Sequence, residues 1–363
     1  MHRRLVVRNS NIDLEPSEGA RKRSRSLRRI RGSLSAKKPA GEERATLRNV
    51  ELQKQNVQPI SQAAFRMSRA QSQPAQVDQF EKTIVSALIP NGEFGLHRYC
   101  QDMFNYSLYL EKKDMYLQEG WLEGLGIEPR MREILIDWFH QVHSRFHLIP
   151  ETLNLTVHLL NLTVQRLSIT KDNLQVAGIT CMFIASKYEE MYPPTIDDYV
   201  NVAGGCFTNE EIRSWEVRIL KCTGCCLSIP YVINYIRRGS SVMKKQTGQQ
   251  AGKIHNLAKF IGEVAMIDSS TCHLLPSLMA AVSVYVAMKI EKVEWNDPLM
   301  TATMGYSEVR LREAARLFVK PILTWTNPSA KLQSLREKYN SSKVGSVSTL
   351  SANQADILHE LAL

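Results

Sequence analysis

The chain has 363 residues, 44% of them apolar and 23% charged, which leaves room for two ordinary domains and a tail. Its net charge of +10 is unevenly spread: residues 1–50 hold 14 Lys or Arg against 5 Asp or Glu, so residues 51–363 are close to neutral. A domain that reads nucleic acid by its own basic surface is therefore not expected. Seven cysteines in so long a chain make no disulfide framework, and Cys222, Cys225 and Cys226 have no second pair or His cluster to complete a zinc site. No signal-like opening and no apolar stretch of 18 residues occurs, so a soluble intracellular protein with free thiols is expected.

Residues 1 to about 80 are rich in Arg, Ser, Gln and Pro, lack apolar periodicity and read as a disordered tail. Arg21, Lys22, Arg23, Arg25, Arg28, Arg29 and Arg31 put seven cations in eleven residues. That density reads first as a nuclear-import signal, with nucleic-acid contact or a solvated arm as alternatives. Two R-x-x-L tetrapeptides, Arg31–Leu34 and Arg44–Leu47, also stand in the tail.

From Phe94 to Leu117, Tyr99, Met103, Tyr106 and Leu110 recur at helical spacing and predict a leading helix packed on the helices after it. After a Gly-rich link, Met131–Val142 sets Met131, Ile134, Leu135, Trp138 and Val142 on one stripe, while Ile136, Phe139 and His143 fall elsewhere. Such a helix is a core element, or one whose stripe is partly open as a peptide groove. Pro150 opens the next helix, which runs to about Leu167, and Thr170 is expected to cap the one after it. That helix, ending ITCMFIASKYEEMYPP at Ile179–Pro194, is apolar on every side and reads as fully buried. Lys187 continues its row Val176, Thr180 and Phe183, with Met191 beyond, so a cation occupies an apolar place and needs an anion in this chain or a partner. Thr195-x-x-Asp198 and Thr208-x-x-Glu211 are capping boxes opening two shorter helices. The second carries Ile212, Trp215, Ile219 and Leu220 on its stripe, with Glu216 where an apolar residue is expected. A second set of helices comes next, and SVYVAMKIE at 283–291 aligns with CMFIASKYE at 181–189. This is an internal duplication of a unit of about 100 residues. Without strand alternation, the fold class is all-α.

Catalytic motifs are missing: no phosphate loop, no G-x-S-x-G, no HExxH and no kinase catalytic loop. His140, His143, His147 and His158 stand singly on helices and read as satisfied polar groups rather than general bases. A binding protein is expected, not an enzyme, with no cofactor.

MREILIDWFHQV resembles the cyclin signature, and ASKYEEMYPP resembles the kinase-contacting helix end of mitotic cyclins. The resemblance runs from about Tyr99 through both repeats to LREKYNSSKVGSVSTL, which is similar to the end of B-type cyclins. It implies two tandem five-helix boxes: a leading helix and first box over 94–227, a second over 228–340, and an extension over 341–363. It implies a regulatory, activating subunit of a cyclin-dependent kinase, at the G2/M transition and in mitosis, in nucleus and cytoplasm. Lys187 and Glu216 match the pair that grips the kinase, with Tyr188, Glu189 and Glu190 beside them. Met131, Ile134, Leu135, Trp138 and Gln175 match the patch that docks Arg-x-Leu substrates or inhibitors, with Gln141 where some cyclins carry an acid. Arg44, Leu47 and Val50 match a destruction box, with Leu52 for its usual final Asn, which implies a ubiquitin ligase of the mitotic-exit type. Lys37, Lys38 and Lys54 are candidate ubiquitin acceptors. Thr223–Cys226 replaces a leucine and an aromatic of B-type cyclins, which implies looser packing at the box junction. The rival reading is a nucleic-acid-binding transcription factor built on the same repeats.

Overall fold

The computed structural model describes residues 74–88, 99–113 and 117–362. Among them are fourteen α-helices and no strands. In chain order they are α1 (Pro74–Leu88), α2 (Cys100–Lys113), α3 (Pro129–Arg145), α4 (Pro150–Arg166), α5 (Leu174–Glu189), α6 (Ile196–Val202) and α7 (Asn209–Thr223). They continue as α8 (Val232–Thr247), α9 (Ala251–Ile267), α10 (Pro276–Ile290), α11 (Asp297–Met304), α12 (Glu308–Thr326), α13 (Ser334–Tyr339) and α14 (Ala352–Ala362).

The duplication is visible in the helices themselves. Leu174 and Pro276, the first residues of α5 and α10, stand 102 apart, the spacing of the repeated nonapeptide. α4 packs on α5 as α9 packs on α10. Residues 176–186 and 277–288 are all buried, because each of these helices is small or apolar right round and forms the axis of its repeat. Close packing at the axis needs Gly178: a β-carbon there would lie 2.7 Å from Leu135 and 2.9 Å from Phe139 of α3. One continuous cluster of buried side chains runs through both repeats.

The helix ends reflect local chemistry. Proline stands in the first turn of α3, α4, α10 and α11, where its missing N–H is no loss. Both capping boxes form, Thr195 with Asp198 and Thr208 with Glu211. Thr170 does not cap α5. A turn over 170–173 intervenes, Asn173 precedes the helix, and the Thr170 carbonyl accepts from the Leu174 N–H at 3.0 Å.

Two further expectations are corrected. Pro74–Leu88, partly assigned to the tail, is a helix whose Ile84 is buried against Val242 of α8 and Leu299 of α11. The leading helix forms as α2, but its packed side is the other one. Tyr99, Met103 and Tyr106 are exposed, while Phe104 and Glu111 are buried and Leu108 packs on the core. Glu111 draws this face inward by accepting from the Ser277 N–H at 2.9 Å. Thr223–Cys226 forms the end of α7, with Gly224, Cys225 and Cys226 exposed. Thr223 is buried and donates to the Ile219 carbonyl at 3.0 Å, and Gly224 at φ 63° ends α7. The Cys225 N–H then reaches back to the Leu220 carbonyl at 2.9 Å, closing a Schellman-type cap.

Candidate functional site

Lys187 lies in the last turn of α5, where the helix leaves the core. Its side chain is 39% exposed, so the buried cation read from the row is instead at the rim, with its amino group forming an ion pair with Glu216 of α7. The ammonium also sits 4.1 Å above the Phe183 ring. The row fails at its end because the residues after α5 turn outward: Met191 and Tyr192 are 84% and 87% exposed. Pro193 and Pro194 prevent the helix from continuing. A hollow of about 450 Å³ opens here, bounded by Phe183, Lys187, Pro193, Ile196, Arg213 and Glu216. The second repeat carries the same device: Lys289 lies 5.2 Å over the Tyr285 ring and pairs with Glu308 of α12 at 2.8 Å.

Of the neighbouring residues, Tyr188 is exposed. Glu189 accepts from the Tyr231 hydroxyl at the start of α8. Burial, with this carboxylate beside it, raises the Tyr231 phenol well above its ordinary value. Glu190 accepts from the Ile149 N–H at 2.8 Å and from the Thr152 hydroxyl, serving as a cap for α4 from a distance. Both glutamates are thus engaged within this chain.

Met131, Ile134 and Trp138 of α3 and Gln175 of α5 are half-buried, whereas Leu135 is buried against Gly178. Gln141 donates to the Ser334 hydroxyl at 2.8 Å. Asp137 accepts from the Ser334 N–H at 3.0 Å and its hydroxyl at 2.8 Å, so α13 is tied to α3.

Among the buried charged groups that the sequence reading missed, Arg132 and Glu263 join elements far apart in the chain. Arg132 of α3 is fully buried and donates to Asn161 Oδ1 at 2.8 Å, to the Met266 carbonyl at 2.8 Å and to the Ile267 carbonyl. It meets the same test as Lys187: it precedes Ile136 and Phe139 on one row. Glu263 of α9 accepts from Lys338 at 2.8 Å and the Tyr339 hydroxyl at 2.7 Å, with His140 Nδ1 at 3.5 Å. Burial alone would raise its carboxyl, but Lys338 and His140 outweigh that and hold it at about 2. Among the described residues no group of three or more His, Cys, Asp or Glu is placed to hold a metal ion, and no helix is long and apolar enough to cross a membrane. Arg21–Arg31, Arg44, Leu47, Val50, Lys37, Lys38 and Lys54 lie outside the described residues.

Residues 102–228 match the cyclin N-terminal domain and residues 230–353 the cyclin C-terminal domain. The chain belongs to the cyclin family. This cyclin is 37% identical over 269 residues to G2/mitotic-specific cyclin-B of Arbacia punctulata, covering 73% of its own length and 64% of that protein. It is 33% identical over 265 residues to G2/mitotic-specific cyclin-B1 of Xenopus laevis, covering 73% and 65%. The chain therefore spans a little under two thirds of these curated relatives. A viral cyclin from herpesvirus saimiri, 18% identical, shares the fold with a TM-score of 0.52 over 65% of this chain and 99% of that one. The transcription-factor alternative finds no support in these matches.

Proposed function

We propose that this cyclin is a non-catalytic activating subunit of a cyclin-dependent kinase, acting at the G2/M transition and in mitosis. The observation that carries the reading is the end of α5. There the Lys187–Glu216 pair, Tyr188, Met191 and Tyr192 form an exposed, mixed apolar and charged surface on α5, α7 and the segment that follows α5. A kinase needs its C-helix Glu paired with its ATP-binding Lys. A rigid surface that binds only the state in which that pair is formed shifts the kinase population toward it. The half-exposed Met131, Ile134 and Trp138, with Gln175, would dock Arg-x-Leu substrates or inhibitors, and Leu135 would support them from below. Turnover would proceed through Arg44, Leu47 and Val50 and a mitotic-exit ubiquitin ligase, and residues 21–31 would carry the protein into the nucleus from the cytoplasm. The deciding experiment is co-purification of the full chain with a kinase followed by a protein-kinase assay. Phosphorylation dependent on this chain supports the reading, and a kinase equally active without it overturns the reading.

A further inference from the structure

Exposed large apolar side chains are scarce in the second repeat. Among its described residues they are Val309 and Leu317, 71% and 48% exposed, and both stand on α12. The helix packs on α10 and α14, with Leu311, Ala315, Phe318 and Ile322 buried along its inner side. The outer side carries cations. Arg312, Arg316 and Lys320 are all exposed and stand at i, i+4 and i+8, a row with steps of about 6 Å. Val309 and Leu317, on the same outer side, are about 12 Å apart along the axis. Arg310 flanks the row and pairs with Glu313 at 3.2 Å. Glu308, the other acid of the helix, is taken by Lys289 at 2.8 Å and meets Arg312 only at 4.0 Å. Four cations on one helix thus face two carboxylates, both already engaged.

We propose that the outer side of α12 docks an acidic amphipathic helix of a partner protein, its carboxylates along Arg312, Arg316 and Lys320 and its apolar side chains over Val309 and Leu317. Charge complementarity carries the choice. Like charges at i and i+4 destabilise a helix, and carboxylates repeating at the same spacing on a second helix turn that cost into attraction. Arginine, three of the four cations, is enriched where proteins meet. The two apolar side chains are covered in the same contact. A second copy of the chain fits poorly, since a two-fold contact sets this row against itself. A nucleic acid gains nothing from Val309 and Leu317 and meets Glu313. A lipid surface takes a broad apolar face, and that of α12 is turned into the core. The proposed kinase surface lies on the first repeat, so this docking does not depend on it.

The test uses the full chain isotope-labelled at valine and leucine methyl carbons. Val309 and Leu317 are identified by the loss of their signals in Val309→Gln and Leu317→Gln. The probe is an alanine-based helical peptide with glutamate at every fourth position and two leucines two turns apart. It should shift Val309 and Leu317 saturably below millimolar concentration and leave Leu311 and Val319, on the buried side, in place. The same peptide with lysine for glutamate should not bind. Reversing Arg312 and Lys320 together to Glu should weaken binding about tenfold or more, because two exposed pairs turn from attraction to repulsion. Val309→Gln should weaken it about four-fold, the worth of one methylene returned to water. All these side chains are exposed, so the variants should keep the wild-type thermal midpoint. If the double reversal unfolds, Arg312→Gln and Lys320→Gln carry the same reading, each with a smaller loss. No shift at Val309 and Leu317, equal binding of the lysine peptide, or unchanged affinity in the charge variants overturns the proposal. It is equally overturned if a single-stranded oligonucleotide or phosphatidylserine vesicles give the same shifts as strongly, or if the shifts follow protein concentration alone, the mark of a second copy.

Discussion

Lys187 and Lys289 end the two buried axial helices in one way, each over the aromatic ring four residues back and each paired with a glutamate of the fifth helix of its repeat. The cation over the ring is thus common to both repeats, while the place of the glutamate is not, eighth in α7 and first in α12. The first copy is further distinguished by the exposed Met191, Tyr192 and the paired prolines around it. Partly exposed pairs of this kind contribute about 0.2–1 kcal/mol. Lys187→Ala and Glu216→Ala should leave the thermal midpoint of the isolated protein almost unchanged. In the kinase complex each truncation strands a desolvated partner, at a cost of about 2–5 kcal/mol, or roughly one and a half to three and a half decades in dissociation constant. The double mutant should be little worse than either single one, and Lys289→Ala should bind normally. Wild-type affinity in both single mutants, read by kinase titration, would sink the site. Acid should act elsewhere. Burial takes the imidazoles of His140 and His143 down to about 3 and about 4, so each is neutral when folded but protonates near 6.5 when unfolded. The unfolded state thus binds more protons between those values, and stability present above pH 6.5 falls as pH drops, by up to about 1.4 kcal/mol per pH unit for each ring. Glu263, held at about 2, adds a loss that begins below its ordinary value near 4.5. Thermal midpoints should be flat above pH 7 and decline from 6.5 downward, most steeply near pH 4 where the imidazoles and Glu263 titrate together. His140→Gln should lessen the decline by one ring's share, since His143, His158 and His255 titrate as well. A midpoint level down to pH 4.5 would contradict this.

At the scale of the element, Glu190 does for α4 what a local N-cap side chain does elsewhere, from 41 residues away in sequence. Ile149 precedes Pro150 and brings no capping side chain, so the first turn depends on this carboxylate. Glu190→Ala should cost about 0.5–2 kcal/mol in urea unfolding, with Glu190→Gln recovering part of it. Because Glu190 acts through α4, the Gln variant should bind kinase as wild type does. Loss of affinity without loss of stability would return this residue to the interface. No pattern in the sequence announces such a long-range cap. What periodicity did announce were the helices whose inward face is uniformly apolar, above all α5 and α10, together with the two capping boxes and the repeat itself. It misjudged α2 for a physical reason. The inward row Phe104, Leu108, Glu111 contains a carboxyl, so a count of apolar residues favours the outward tyrosines. Lys187 and Glu216 were legible because a charge interrupts an apolar row. Arg132 interrupts the row of Ile136 and Phe139 in the same way and was legible by the same rule, but what it meets, α9 of the other repeat, was not.

At the scale of the molecule, the end of α5 belongs to the first repeat but leans on the second through Glu189 and Tyr231, and charged groups join the repeats beside their shared apolar core. Arg132 reaches from α3 to the last carbonyls of α9, a helix end where a cation is favoured and where those oxygens have no partner within the helix. Asp137 and Gln141 hold Ser334, while Lys338 and Tyr339 of the same short helix hold Glu263, so α13 fastens α3 to α9 a second time. Glu151 of α4 pairs with Arg237 of α8 at a third point. Arg132 is the member whose loss should be felt most, because it is fully buried and makes hydrogen bonds from three nitrogens at once. Arg132→Met preserves much of the apolar stem yet leaves Asn161 and two carbonyls unsatisfied. At about 1–3 kcal/mol for each stranded group, the total is a large part of the about 5–15 kcal/mol that stabilises a typical domain. Arg132→Lys should rescue little, since a single ammonium cannot span acceptors arranged for a planar fork. Urea unfolding of the full chain should show a midpoint lowered strongly and almost equally in both variants. Kinase affinity, measured below the unfolding midpoint, should fall even though no residue of the α5 end has changed. A Lys variant as stable as wild type would mean that charge alone, and not the fork, joins the repeats. A strongly destabilised variant with intact kinase affinity would mean that the α5 end holds its shape without the Arg132 join.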